Sequence, residues 1–233
     1  MKSKKISSIL FWGIMLAVLL PFFISSDLYA FYLKCNSSYP YLLSFIKFAF
    51  LATAGEMIAS RIRHGEYLVK NFGLFPRAVI WGLFGIWIAF MMRSFSVGVP
   101  AALEAAGVTG IGEAMKGGLT AIKLLGAFSI SLIMNSSFAP VFMTLHKVTD
   151  THISNLNGSA KALITPIPVA KILSEQIDWK RQWNFIFKKT IPLFWIPAHT
   201  ITFLLPVSLQ VLFAALLGVF LGLILSFGDG GKR

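Results

Sequence analysis

The sequence predicts an all-α fold, a bundle of about five transmembrane helices with an interfacial amphipathic segment, and three observations carry that prediction. The first is composition: 56% of the 233 residues are hydrophobic, 22 are Phe and only 13% are charged, about half the charged share of a soluble chain. The second is a set of apolar stretches, each long enough to cross a bilayer at roughly 20 residues per helix. The third lies in the terminal run Ile201–Phe227, where Gln210, Ala214, Gly218, Gly222 and Ser226 recur every fourth residue. Small residues at that spacing make a flat helix face onto which another helix packs closely.

In chain order, Lys2, Lys4 and Lys5 precede the apolar run Ile9–Ile24, the pattern of a signal anchor. Cleavage after Ala30 would put Leu28 where a small residue is wanted, so the helix is expected to stay. Residues 1–38 thus read as a signal-anchor helix with an outer loop. Residues 39–233 read as a four-span core: Tyr39–Ile62, Arg77–Val99, Leu119–Leu145 and Ile201–Phe227, each bounded by charges or Pro/Gly breaks. Gly98–Gly118, rich in Gly and Ala, reads as a surface loop with a short helix or as a re-entrant loop. The stretch 146–200 is read as interfacial, because Trp179, Trp183 and Trp195 are interleaved with Lys188 and Lys189, a mixture suited to the headgroup layer. Ile191–Pro206 carries Pro192, Pro197 and Pro206. Each removes a backbone donor, so it is expected to be a kinked entry or a sixth short span.

The net charge of +12 belongs to this topology. Fourteen of the 21 basic residues fall on one side of the five-span arrangement. The positive-inside rule makes that side cytoplasmic, or its organellar equivalent, with the N-terminus inside. The chain would then lie in the inner membrane of a bacterium or an organellar membrane of a eukaryote. No soluble recognition module accompanies the charge, so nucleic acid is not expected as a partner; the lipid bilayer is. The lone Cys35 excludes an intrachain disulfide.

Several residues are candidates for function. In the fourth span Lys123, Ala127, Ser131, Asn135 and Ala139 recur every four residues and share one slowly winding helix face. It is either a hydrogen-bonded packing seam or the polar wall of a pathway. Lys123 within the apolar layer must snorkel, pair or meet water, and Lys47 is similar. Glu56, beside Gly55 and near Ala59, Ser60 and Arg63, needs a cationic partner: Arg63 or a cation on another helix. His146, Asp150 and His152 lack a fourth ligand, and a solvated loop is expected rather than a metal site. No nucleotide loop or nucleophile elbow is present, so neither enzyme activity nor a cofactor is expected.

Gly55-Glu56 followed by Ser60 is similar to a Gly-Asp pair with Gln four residues after the acid. Asn135-Ser136-Ser137-Phe138-Ala139-Pro140 is similar to Gln-x-x-Phe-x-Pro. Trp195, His199, Thr202, Phe203 and Pro206 resemble a Trp-Pro-x-x-Gln-x-x-Asn-Phe-x-x-Val-Pro signature. In order and spacing these elements resemble the Mpv-type, or peroxisomal-membrane-protein, family of small integral membrane proteins. That resemblance implies a four-span core to which Ile9–Ile24 is an added helix, and a pore for small solutes or metabolites of unspecified identity. Glu56, Lys123, Ser131, Asn135 and His199 are then expected toward the polar interior. Gly55, Ala59, Ala214, Gly218, Gly222 and Ser226 are expected in helix packing, within the chain or between copies in a homo-oligomer. A non-transporting scaffold or assembly factor is the alternative, and an intramembrane lipid enzyme a third.

Overall fold

The computed structural model describes residues 2–229, with side-chain surroundings for 6–220. Among the described residues the elements are all helical: α1 (Lys2–Leu19), α2 (Pro21–Ile24), α3 (Ser26–Ser38), α4 (Pro40–His64), α5 (Leu74–Ala105), α6 (Ile111–Lys116), α7 (Ala121–Asn155), α8 (Val169–Lys171), α9 (Trp179–Arg181), α10 (Ile196–Leu204) and α11 (Val207–Asp229). A π-helical turn, Ile172–Gln176, extends α8, and a 14-residue π-helix, Gln182–Trp195, joins α9 to α10. Among the described residues four stretches are long and apolar enough to cross a membrane: Ile6–Ile24, Pro40–His64, Leu74–Ala105 and Ala121–Asn155.

Local chemistry sets the ends. Pro40 opens α4 at a position where its missing N–H costs nothing. Gly65 closes it in the left-handed region at φ 79°, which a side chain would strain. Arg61, Arg63 and His64 occupy the last turn, where cations suit the helix dipole. Thr120 caps α7, its hydroxyl accepting from the Lys123 N–H at 3.1 Å. At 35 residues, α7 is about 52 Å long, well beyond the ~30 Å hydrocarbon layer, so one end projects past it.

The core is a closed set of contacts. α4 packs on α5 and α11, α5 on α7, and α7 on α10, with α6 against α5 and α7. Helix directions follow from paired residues. Ser8 approaches Arg61 and Phe11 stacks on Tyr67 at 4.4 Å, so α1 starts at the end of α4 that carries Arg61, here termed the basic end. The Asn155 amide donates to Gln176 at 2.9 Å, which puts the start of α9 there too. The Asn36 amide reaches the Ser208 carbonyl, so α11 begins at the opposite end. It then runs parallel to α4, since Gly55 lies against Gly218 and Val219.

Four expectations change. The terminal helix begins at Val207, not Ile201, because Pro206 forces Leu205 into an extended conformation (ψ 158°). Between the two ends the chain is carried by Trp179–Leu204, so the described residues pass from end to end six times and α11 points back toward the basic end; Lys232 and Arg233 lie outside the described residues. The outer loop after the first helix is itself helical, as α3. The polar stretch after Leu145 is also not a loop at first, since α7 continues through His146, Asp150 and His152 to Asn155.

Candidate functional site

Two polar clusters lie along α7. The first occupies the seam of α4, α5 and α7 near the basic end. The Arg77 guanidinium is ion-paired with both Glu56 and Asp150, and these side chains are only 11%, 19% and 24% exposed. Its Nε also donates to the Phe72 carbonyl, and the Phe72 ring lies 4.9 Å from the guanidinium carbon. Glu56 Oε1 accepts from Trp81 Nε1 at 2.8 Å and from His146 Nε2 at 2.9 Å. A carboxylate only accepts, so the Nε2 of His146 carries the proton. The His146 ring lies 4.6 Å from that of Trp81, with Phe84 and Phe142 around it. One cation thus serves two half-buried anions, while an indole and an imidazole complete the shell of Glu56. A cavity of about 10 Å³ beside them has room for one water at most.

The second cluster lies eleven residues back along α7, about 16 Å away. Asn135 Nδ2 donates to the Ser131 carbonyl at 2.8 Å, so its Oδ1 is the acceptor for His199 at 3.1 Å, and His199 Nδ1 carries the proton. The Ser131 hydroxyl crosses to the Ile196 carbonyl at 2.7 Å. Asn135 and Ser131 are almost completely buried, at 1% and 0% exposure. Trp195 stacks on His199 at 5.1 Å, and its Nε1 is buried without a partner among the described residues.

The structure brings Ser131, Asn135 and His199 together and keeps Glu56 apart from them. Lys123 joins neither cluster. It stands in the first turn of α7 with Nζ on the Gly117 carbonyl at 2.7 Å, so it snorkels and does not line an interior. Lys47 is buried near the opposite end and donates to Asn36 Oδ1 at 2.7 Å. Arg63 donates to the Ala59 carbonyl, leaving the pairing with Glu56 to Arg77. His146 and Asp150 enter the basic-end cluster, whereas His152 is buried with its Nε2 unpartnered among the described residues. No group of three or more His, Cys, Asp or Glu side chains there could hold a metal ion.

Of the packing candidates, Gly55, Ala59 and Ala214 are buried. A methyl on Gly55 would stand 3.0 Å from the Val219 Cα, so this glycine allows α11 its close approach. Gly218 offers only its backbone, since a methyl there would meet nothing within 4 Å. The surroundings of Gly222 and Ser226 lie outside the described residues. Sequence reasoning missed Gly82 and Gly85, where a methyl would fall 2.5 Å from the Phe45 ring and 2.6 Å from the Ser44 carbonyl. Their signal was two glycines three apart in an apolar span. It also missed Arg77 and Trp81 as partners of Glu56, whose four-residue spacing puts them on one helix face.

Compared with known proteins, the chain matches no family model, no curated protein and no solved structure.

Proposed function

We propose that this chain is a multi-pass membrane protein of the Mpv type that passes small solutes, held here in a shut state, with its N-terminus and basic end on the cytoplasmic or equivalent side. The observation that carries the reading is the half-buried Glu56–Arg77–Asp150–His146 cluster between α4, α5 and α7. Ionisable groups are expensive in a membrane interior and mark solute or ion pathways when present. This one sits where three core helices meet, at one mouth of the bundle, with the Asn135–His199 contact deeper on the same helix. Breaking the cluster would free α7 to move against α4 and α5, and Ser131, Asn135 and His199 would then offer donors and acceptors to a solute.

The alternative of a non-transporting scaffold is favoured by a different observation: Glu56, Arg77, Ser131 and Asn135 already bond to protein partners. Reconstitution into liposomes separates the two. A pore lets small solutes escape, and Asn135→Leu changes that leak; vesicles that stay sealed at every membrane potential rule the pore out. Catalysis has no support in either cluster.

A further inference from the structure

The helix that carries the chain back from the basic end shows a surface that changes from cationic to apolar along its length. Along Gln182–Trp195 the residues buried against the protein are Gln182, Thr190 and Ile191, with Ile186 and Phe187 half-buried between them. The remaining face carries Lys180, Arg181, Lys188 and Lys189, all exposed. Between them stands Trp183, 55% exposed, with Lys188 Nζ 5.8 Å from its ring. Beyond them the exposed residues turn apolar, with Leu193 at 76% and Ile201 at 53%. The nearest acids, Glu175 and Asp178, precede this face, and Asp178 is engaged in capping the Arg181 N–H at 3.0 Å.

Cations over the first turns, an indole among them and bare aliphatic side chains farther along match the succession of a lipid leaflet from headgroup layer to acyl chain. Water would satisfy the lysines and penalise Trp183 and Leu193; hydrocarbon would do the reverse. We propose that this face is a binding surface for anionic phospholipid, with the headgroup phosphate held by Lys180, Lys188 and Lys189 and the acyl chains along Leu193 and Ile201. This goes beyond the pore reading and does not depend on it.

The test is native mass spectrometry of the full chain in detergent, titrated with phosphatidylglycerol or phosphatidylcholine of matched chains. The wild type should retain phosphatidylglycerol preferentially, and the preference should shrink when salt is raised. A basic side chain near an anionic lipid surface is worth ~1 kcal/mol, or about fivefold. Lys188→Gln/Lys189→Gln should therefore lower the preference by more than tenfold, while Arg93→Gln/Lys116→Gln at the opposite end should leave it intact. Equal retention of both lipids by the wild type, a preference indifferent to salt, or equal loss in the two variants overturns the proposal. Displacement of the lipid by millimolar inorganic phosphate also overturns it, by making the site one for a free anion. Solute flux is read separately in liposomes, so either proposal can fail alone.

Discussion

Adding one methyl group at Gly85 should loosen the whole bundle, and the structure says by how much. The new Cβ would lie 2.6 Å from both the Ser44 carbonyl oxygen and the Phe48 Cβ, about 0.8 Å short of ordinary contact. Neither neighbour is the free end of a flexible chain, so α4 and α5 must separate. Overpacking of this kind costs about 1–3 kcal/mol, or a fall in Tm of roughly 2–12 °C for a chain of this length, with the backbone clash favouring the upper half. Gly55→Ala, where the contact is 3.0 Å, should fall less. Gly98→Ala and Gly218→Ala, with nothing within 4 Å, should hold Tm or raise it slightly, because Ala is favoured over Gly in a helix by about 0.5–1 kcal/mol. The assay is thermal unfolding of the four purified variants in one detergent, followed by near-ultraviolet circular dichroism. If Gly85→Ala melts with Gly98→Ala, the close α4–α5 crossing is wrong.

Arg77→Gln leaves Glu56 and Asp150 without their shared cation, and should cost about 3–5 kcal/mol. Adding Glu56→Gln should recover part of that loss, so a double variant less stable than the single one, by the same melting assay, refutes the pairing. In liposomes, Arg77→Gln should also raise solute leak several-fold; a leak equal to the wild type in folded protein counts against the cluster as a gate. Asn135→Leu removes the acceptor of His199 and a bond to Ser131, at about 1–3 kcal/mol, and should alter the histidine Nδ1–H signal in proton NMR; an unchanged signal speaks against the contact. Lys47→Met keeps the stem and removes a buried charge held only by neutral groups, so Tm should hold or rise, whereas Asn36→Leu should lower it; the opposite order would refute the burial of that ammonium.

Much of the fold was legible because a bilayer imposes a length and a polarity. Four spans appear near the expected positions, and Pro206 marks the last break to within a few residues. The sixth passage was harder to read. Lys188 and Lys189 interrupt its apolar pattern, and the π-winding of Gln182–Trp195 shifts the repeat away from 3.6 residues. The Ser131–Asn135–His199 group was visible as a stripe on one helix and a histidine on another. The partner of Glu56 was not, because which helix faces a carboxylate depends on packing angles that Gly82 and Gly85 set. The sequence left Arg63, seven residues away, and a cation on another helix both open, and tertiary structure chose the second, Arg77, twenty-one away.

The parallel pairing of α4 with α11 has a consequence for synthesis. Glu56 meets Arg77 as soon as the second hairpin has entered the bilayer, so its charge is neutralised early. The flat face at Gly55 must wait for Val219, more than 160 residues later in the chain. At ribosomal rates of about 5–20 residues per second, that interval is on the order of ten seconds. Throughout it, the half-built protein leaves the Gly55 face of α4 uncovered, and a ribosome that stops before Val207 releases a chain whose acidic centre is assembled but whose wall is missing.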